Sequence, residues 1–186
     1  MQGCPETYRA RIKRHDGVVN LLEKQLKDLG CKFVVEPRIP TTLGLRKPDL
    51  VVVTPDQKLK ILDVQIVGDD NVTTLREAHA VKKAKYNKPD ILQWARRWAE
   101  GELGTSPRNV LRAEVETVTI SWRGLLAVSS ANGMRELGLD AYQIGLVIAR
   151  SISGSLMVAR IRERRGRRGV GLGYHEPRRR RMPGIG

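Results

Sequence analysis

A mixed α/β layer domain is predicted by three features of this 186-residue chain. Residues 8–29 carry apolar side chains at intervals of three and four. Residues 48–53 and 59–67 are short, rich in Val, Ile and Leu, and separated by the polar turn TPDQ (54–57). Residues 114–122 alternate apolar and polar after a long stretch of helical character. An order of helix, three strands, helix, strand and helix belongs to layered α/β folds.

The first helix is read over 8–29, with His15, Val18, Leu22, Leu26 and Leu29 on one stripe and Gly30 as its stop. CKFVVE (31–36) is a short strand. Pro37 and Pro40 then break the chain, and TTLGLRK is an exposed loop by composition. PDLVVV (48–53) and LKILDVQIV (59–67) form a hairpin across the turn. After the loop GDDN (68–71), Thr74 and Glu77 have capping-box spacing for a helix running to about Tyr86. NKPD (87–90) interrupts, and ILQWARRWAE continues as helix to Gly101. Ser106-Pro107 has the pattern of an N-cap and first helical residue. EVETVTISW (114–122) is the fourth strand, 132–137 a helical turn, and 140–159 a final, mostly apolar helix containing Gly145 and Gly154. No internal repeat is visible.

Charge narrows the function classes. The chain has 34 Lys plus Arg against 20 Asp plus Glu, a formal charge of +14. That excludes an ordinary acidic cytosolic enzyme and points to a polyanionic partner. Ten arginines and two glutamates between 160 and 181 supply +8 of it, leaving +6 for the rest. This Gly/Arg-rich tail, 160–186, has too little apolar surface to offset chain entropy and is expected to be disordered. It reads as a nucleic-acid arm or nuclear-import signal, with Arg178, Arg179, Arg180 and Arg181 as candidate contacts, or as a solvated tail that only adds charge. Two cysteines, Cys4 and Cys31, build no disulfide framework and suit a reducing compartment. No apolar run reaches ~18 residues, so no membrane span is expected. The first residues lack the apolar core of a secretory signal.

The informative chemistry lies in the hairpin. Asp49 opens one strand, and Asp63 interrupts an apolar one. A carboxylate among such residues is costly to bury without a partner. Two acids on adjacent strands can converge on a hard divalent cation, which takes oxygen ligands at ~2.1 Å. The alternative pairs Asp63 with a lysine or arginine and leaves Asp49 a strand-initial turn residue. On the next helix, Leu75, His79, Lys82 and Tyr86 share one face, with Lys85 beside it and Lys83 pointing away. A lysine beside two metal-bound carboxylates can position water and offset phosphate charge; KKAKYNK read blandly is a solvated basic face. His15 reads as a satisfied core histidine, Trp94, Trp98 and Trp122 as core or covered interface, and Cys31 as a buried small residue. Glu36 is either a third metal contact or a loop-anchoring ion pair. Arg46 and Lys47 precede Asp49 and are candidate DNA-backbone contacts or solvated charge.

These residues, taken in order, resemble the PD-(D/E)XK nuclease superfamily, and within it the restriction-like endonuclease domain of non-LTR retrotransposons that insert into ribosomal DNA. The likeness rests on Arg14-His15-Asp16 with Val18-Val19, Glu36-Pro37-Arg38, Arg46-Lys47-Pro48-Asp49-Leu50, Asp63-Val64-Gln65, Lys82-Lys83-Ala84-Lys85-Tyr86 and Ile120-Ser121-Trp122-Arg123-Gly124, and covers roughly residues 4–150. It implies a restriction-endonuclease-like core and Mg²⁺-dependent DNA cleavage, with Mn²⁺ able to substitute. Asp49 and Asp63, and Glu36 as a further candidate, are the implied metal ligands, and Lys82, Lys85 and Tyr86 complete the catalytic set. Gln65 stands where the wider superfamily has its lysine; in this branch the lysine sits on the following helix, at Lys82 here. Cys4-Pro5 is similar to the end of a zinc knuckle, so 1–7 is read as its remnant, 8–159 as the nuclease domain and 160–186 as the basic tail. One cysteine alone closes no zinc site.

The resemblance further implies a nuclear enzyme that nicks double-stranded DNA to prime reverse transcription of element RNA, its reverse transcriptase domain lying elsewhere in a longer protein. Two copies would be needed for second-strand cutting if each supplies one active site. The competing readings are a catalytically inactive nucleic-acid-binding module and a nuclease selective for branched DNA.

Overall fold

The computed structural model describes residues 5–68, 72–104 and 112–169, with backbone alone at 5–6, 72–74 and 164–169. The features read at Cys4, Ser106-Pro107 and Arg178 to Arg181 lie outside these residues. The elements are α1 (Pro5–Asp28), β1 (Lys32–Val35), β2 (Leu50–Val53), β3 (Leu59–Val67), α2 (Val72–Tyr86), α3 (Pro89–Leu103), β4 (Ala113–Ser121), α4 (Val128–Glu136) and α5 (Ala141–Gly169).

One sheet of order β1-β2-β3-β4 forms the middle layer. β1, β2 and β3 are antiparallel neighbours, as the hairpin reading requires, and β4 lies parallel to β3. A parallel neighbour needs a long crossover, which α2 and α3 supply. Alternation along the strands divides the interior in two. Leu50, Val52, Leu62, Val64, Val118 and Ile120 pack with α1, α4 and α5. Val51, Val53, Leu59, Ile61 and Val115 pack with Tyr86 of α2 and with Ile91, Ala95 and Ala99 of α3. This is an α/β architecture with a four-strand mixed sheet flanked by helices, consistent with a restriction-endonuclease-like core.

Several boundaries differ from the sequence reading. α1 starts at Pro5, so 5–7 belong to the helix; proline is favoured in a first turn because its missing N–H is not needed there. α1 ends as expected at Gly30, whose φ of 75° closes the turn through Gly30 N–H to Lys27 O and Cys31 N–H to Leu26 O. α2 begins before Thr74, so that residue is not its cap. α3 runs through Gly101 and stops at Gly104, which adopts the left-handed conformation. The helical turn at 132–137 is a full helix, α4.

The last helix changes most. α5 continues to Gly169, ten residues into the segment expected as disordered tail; arginine and glutamate are good helix formers. By length and composition Ala141–Glu163 also suffices to cross a membrane, where no unbroken apolar run was found; only its average is apolar. In this fold its Ile144 and Val147 lie in the core with α1.

α1 and α5 approach closely because two glycines allow it. A side chain on Gly17 would meet the Arg150 guanidinium at 2.6 Å, and one on Gly154 would meet Arg14 Cγ at 2.5 Å and its Cα at 3.2 Å. Arg14 Nη1 then donates to Ser155 Oγ at 3.0 Å. Gly154 therefore serves as a helix contact, which its place in an apolar helix did not reveal. Elsewhere the buried Lys60 ties β4 and α4 to β3, donating to Glu114 at 2.5 Å and Glu136 at 2.8 Å. Replacing Gly154 by Val should push α5 off α1 and destabilise the fold by about 1–3 kcal/mol, read as a lower urea midpoint; an unchanged midpoint would refute the tight crossing.

Candidate active site

Strand register brings the acids together. Leu50 pairs with Leu62 as the last step of the β2–β3 ladder, so Asp49 stands one residue beyond, opposite Asp63. Both are buried, at 8% and 3% exposure. Where β2 leaves the ladder, Asp49 Oδ2 accepts the Val64 N–H at 2.6 Å, taking the place of a strand partner. Asp63 Oδ2 accepts from Lys82 Nζ at 2.5 Å. Burial, and then the charge of Asp49, raise the Asp63 carboxyl above its ordinary range despite Lys82. Two buried carboxylates held side by side suit a hard divalent cation; Asp49 and Asp63 are the residues that could hold one.

The α2 residues converge as their spacing predicts. Lys85 Nζ lies 3.0 Å from the Tyr86 hydroxyl and 4.6 Å from its ring centre. Lys82 lies 5.9 Å from the same centre. The Tyr86 hydroxyl donates to Lys47 O at 3.2 Å, and burial together with Asp63 pushes its acidity well below that of a free phenol. Burial and the neighbouring Lys82 lower the pKa of Lys85. Lys83 points away and pairs with Glu116 at 3.6 Å.

Other candidates fall differently. Glu36 takes the ion-pair alternative, meeting Lys47 Nζ at 2.5 Å, with a φ of 48° that is unusual for a residue with a side chain. Lys47 is thereby engaged, whereas Arg46 lies close enough for its charge to act on Lys85. Gln65 turns its amide nitrogen to Thr119 Oγ1 at 2.8 Å and Ala78 O at 2.9 Å.

His15 departs from the core reading. It is half-buried, and its Nε2 donates to both Asp49 Oδ2 and Val64 O at 3.2 Å, while Nδ1 faces Asp16 Oδ1 at 3.3 Å. All three partners are acceptors, which favours the imidazolium; chiefly the Asp49 hydrogen bond, against the cost of burial, pushes its pKa up to about 9. Trp122 is 41% exposed rather than core. Trp94 and Trp98 pack against the α3-side core, and Cys31 is buried and free, as expected.

A polar network that sequence reading missed sets the position of α2. His79 shares a 2.6 Å hydrogen bond with Thr117 Oγ1, and Ser130 Oγ donates to Thr117 O and accepts from Thr119 N. With Gln65 on the Ala78 carbonyl, these bonds fix α2 against β3 and β4 and so place Lys82 over Asp63. The signal was present in β4, where Thr117, Thr119 and Ser121 put hydroxyls on one face of a buried strand.

No family model matches the chain. It is 31% identical over 159 residues to the retrovirus-related Pol polyprotein from type-2 retrotransposable element R2DM of Drosophila melanogaster, spanning 84% of this chain and 14% of that protein. It is 30% identical over 161 residues to the Pol polyprotein from the R2 element of Nasonia vitripennis, with the same coverage, and 37% identical over 109 residues to one from Popillia japonica, spanning 58% of this chain and 18% of that protein. The homologues of this chain are thus retrotransposon Pol polyproteins of the R2 type, of which it spans only a small part.

The raised carboxyl of Asp63 has a stability consequence. A group whose pKa rises on folding supports the fold below its unfolded value, near 3.9, and loses that support as pH climbs through the folded value. Asp63→Asn should therefore raise the thermal midpoint without added metal, with a gain that is absent in strong acid and grows toward neutrality. A lower midpoint at pH 7 would mean that the Lys82 ion pair outweighs the burial cost.

Proposed function

We propose that this chain is a divalent-metal-dependent endonuclease domain that nicks double-stranded DNA, in the nucleus, to prime reverse transcription of a retrotransposon. The observation carrying this reading is the meeting of Asp49 and Asp63 with Lys82, Lys85 and Tyr86 at the end of the β2–β3 ladder, in a chain homologous to R2 Pol polyproteins. The remaining length of those relatives leaves room for a reverse transcriptase domain and for the element RNA as partners in the full protein.

Asp49 and Asp63 would hold Mg²⁺ or Mn²⁺, which when bound acidifies water and neutralises charge at a phosphate. The protein groups supply the rest. Lys82, anchored on Asp63, presents an ammonium where negative charge grows on the scissile phosphate. Lys85 is the better suited of the two lysines to accept a proton, because burial and Lys82 make its ammonium more acidic. Tyr86 locks the end of α2, which carries both lysines, to the Lys47 carbonyl. His15 holds Asp49 Oδ2 together with the Val64 N–H, so that this carboxylate has one orientation. Hydrolysis by such a site leaves a 5′ phosphate and the 3′ hydroxyl that a polymerase extends.

Supercoiled-plasmid nicking tests the reading. Wild-type chain with Mg²⁺ should yield nicked circles; EDTA or Asp63→Ala should abolish them, and Lys82→Ala should slow them by roughly 10²–10³-fold. DNA affinity in EDTA should stay within a few-fold for both variants. Nicking by Asp63→Ala at the wild-type rate would sink the proposal, and salt-sensitive DNA binding without nicking would favour the inactive binding module.

A further inference from the structure

A groove of about 1000 Å³ opens between α1 and α5, next to the acids. Its walls include Tyr8, Arg11 and Arg14 of α1, Arg162 of α5, and Trp122 just past β4. His15 joins it to the acidic pair, since the same imidazole lines the groove and touches Asp49. The strand that carries Asp63 ends in it, at Ile66 and Val67, and the Trp122 N–H donates to Val67 O at 3.0 Å.

The chemistry of the walls is specific. Three arginines face the groove against one acid, Asp16, which His15 engages. Arg14 Nη1 is held by Ser155, but Arg14 Nε and Arg11 Nε are buried donors without a hydrogen-bond partner among the described residues. Burial, and then the charges of Arg11 and Arg162, make the Arg14 guanidinium less basic, so like charges crowd this wall of the groove. Two aromatic rings are left open to solvent: Tyr8 is 58% and Trp122 41% exposed, and the Arg123 guanidinium stacks on Trp122 at 4.7 Å. Basic side chains interleaved with exposed aromatics are the means by which proteins hold unpaired bases and their phosphates. A cavity of this volume is in the range that takes small ligands, room for a nucleotide or two but not for a duplex.

We propose that the α1–α5 groove binds single-stranded DNA peeled from the duplex beside the cut, with Trp122 and Tyr8 stacking on bases and Arg11, Arg14 and Arg162 holding phosphates. The assignment rests on the endonuclease reading for its place beside the cleavage site, and it makes the enzyme one that works on locally opened DNA. An intact duplex would meet the acids only after a strand is drawn aside into the groove.

Binding in EDTA tests this apart from cleavage. The full chain is titrated into a fluorescein-labelled single strand, a fork with one unpaired arm, a blunt duplex and an RNA strand of equal length. Trp122→Ala should weaken single-strand and fork binding roughly tenfold or more, leaving blunt-duplex binding within about twofold. Arg11→Ala should reduce the single-strand salt slope by roughly 0.7. Bromodeoxyuridine in the unpaired arm should photocrosslink to peptides containing Tyr8 or Trp122, and near-native circular dichroism keeps each variant interpretable. Equal losses on duplex and single strand, crosslinks confined to other peptides, or tighter binding of the RNA would each overturn the assignment. Because no arm measures nicking, a chain that fails to cleave but passes these tests refutes the endonuclease reading alone. One that cleaves but fails them refutes the groove alone.

Discussion

Two carboxylates buried side by side are the constraint around which this protein is arranged. Each loses hydration, and each feels the other's charge. Nothing in the hydrophobic pattern of β2 or β3 calls for them. The surroundings compensate in a divided way: the backbone of Val64 and the imidazolium of His15 serve Asp49, and Lys82 serves Asp63. These partners come from both sides of the sheet, α1 from one and α2 from the other. The acids therefore sit at the seam between the two cores rather than inside either. A single layer of helices could not have supplied both sets.

The second helix shows how such an arrangement is kept. Its outward chemistry, Lys82 and Lys85, depends on inward contacts of a different kind. His79 is buried, held below its usual basicity by burial, and bonded to a threonine hydroxyl. Gln65 bridges β4 to the helix backbone. Hydroxyls and amides fix direction where methyl groups would only fix distance. A strand of the buried character of β4 could have been all valine; its threonines and serine are the cost of aiming a lysine.

Much of this was legible in the sequence, and the rest was hidden for identifiable reasons. Period-two and period-three-and-four patterns recovered every strand and the main helices, because each buries one face. The Asp49–Asp63 meeting was readable because hairpin register follows from turn length, and the α2 face because helical spacing does not depend on tertiary context. His15 misled because it falls on the apolar stripe, although its ring reaches past the core edge to an acid 34 residues away. Trp122 misled because large aromatics are usually covered. The end of α5 misled because a Gly/Arg composition forecasts chain entropy but is silent on local helix propensity. Gly154 gives no sign of its role within its own helix, because only the partner helix, through Arg14, shows what it is for.

The crossing of α1 and α5 also sets a clock. Arg14 and Ser155, which join the two helices, are separated by 141 positions in the chain, and every strand lies between them. During synthesis α1 emerges early and must wait, its Val18, Leu22 and Leu26 uncovered on that side, until Ile144 and Val147 are made. At ribosomal speeds that interval is on the order of ten seconds. The sheet can assemble meanwhile, but His15 reaches its final seat only when α5 arrives to press α1 home. The seat of His15 beside Asp49 thus stays incomplete until α5 has been translated.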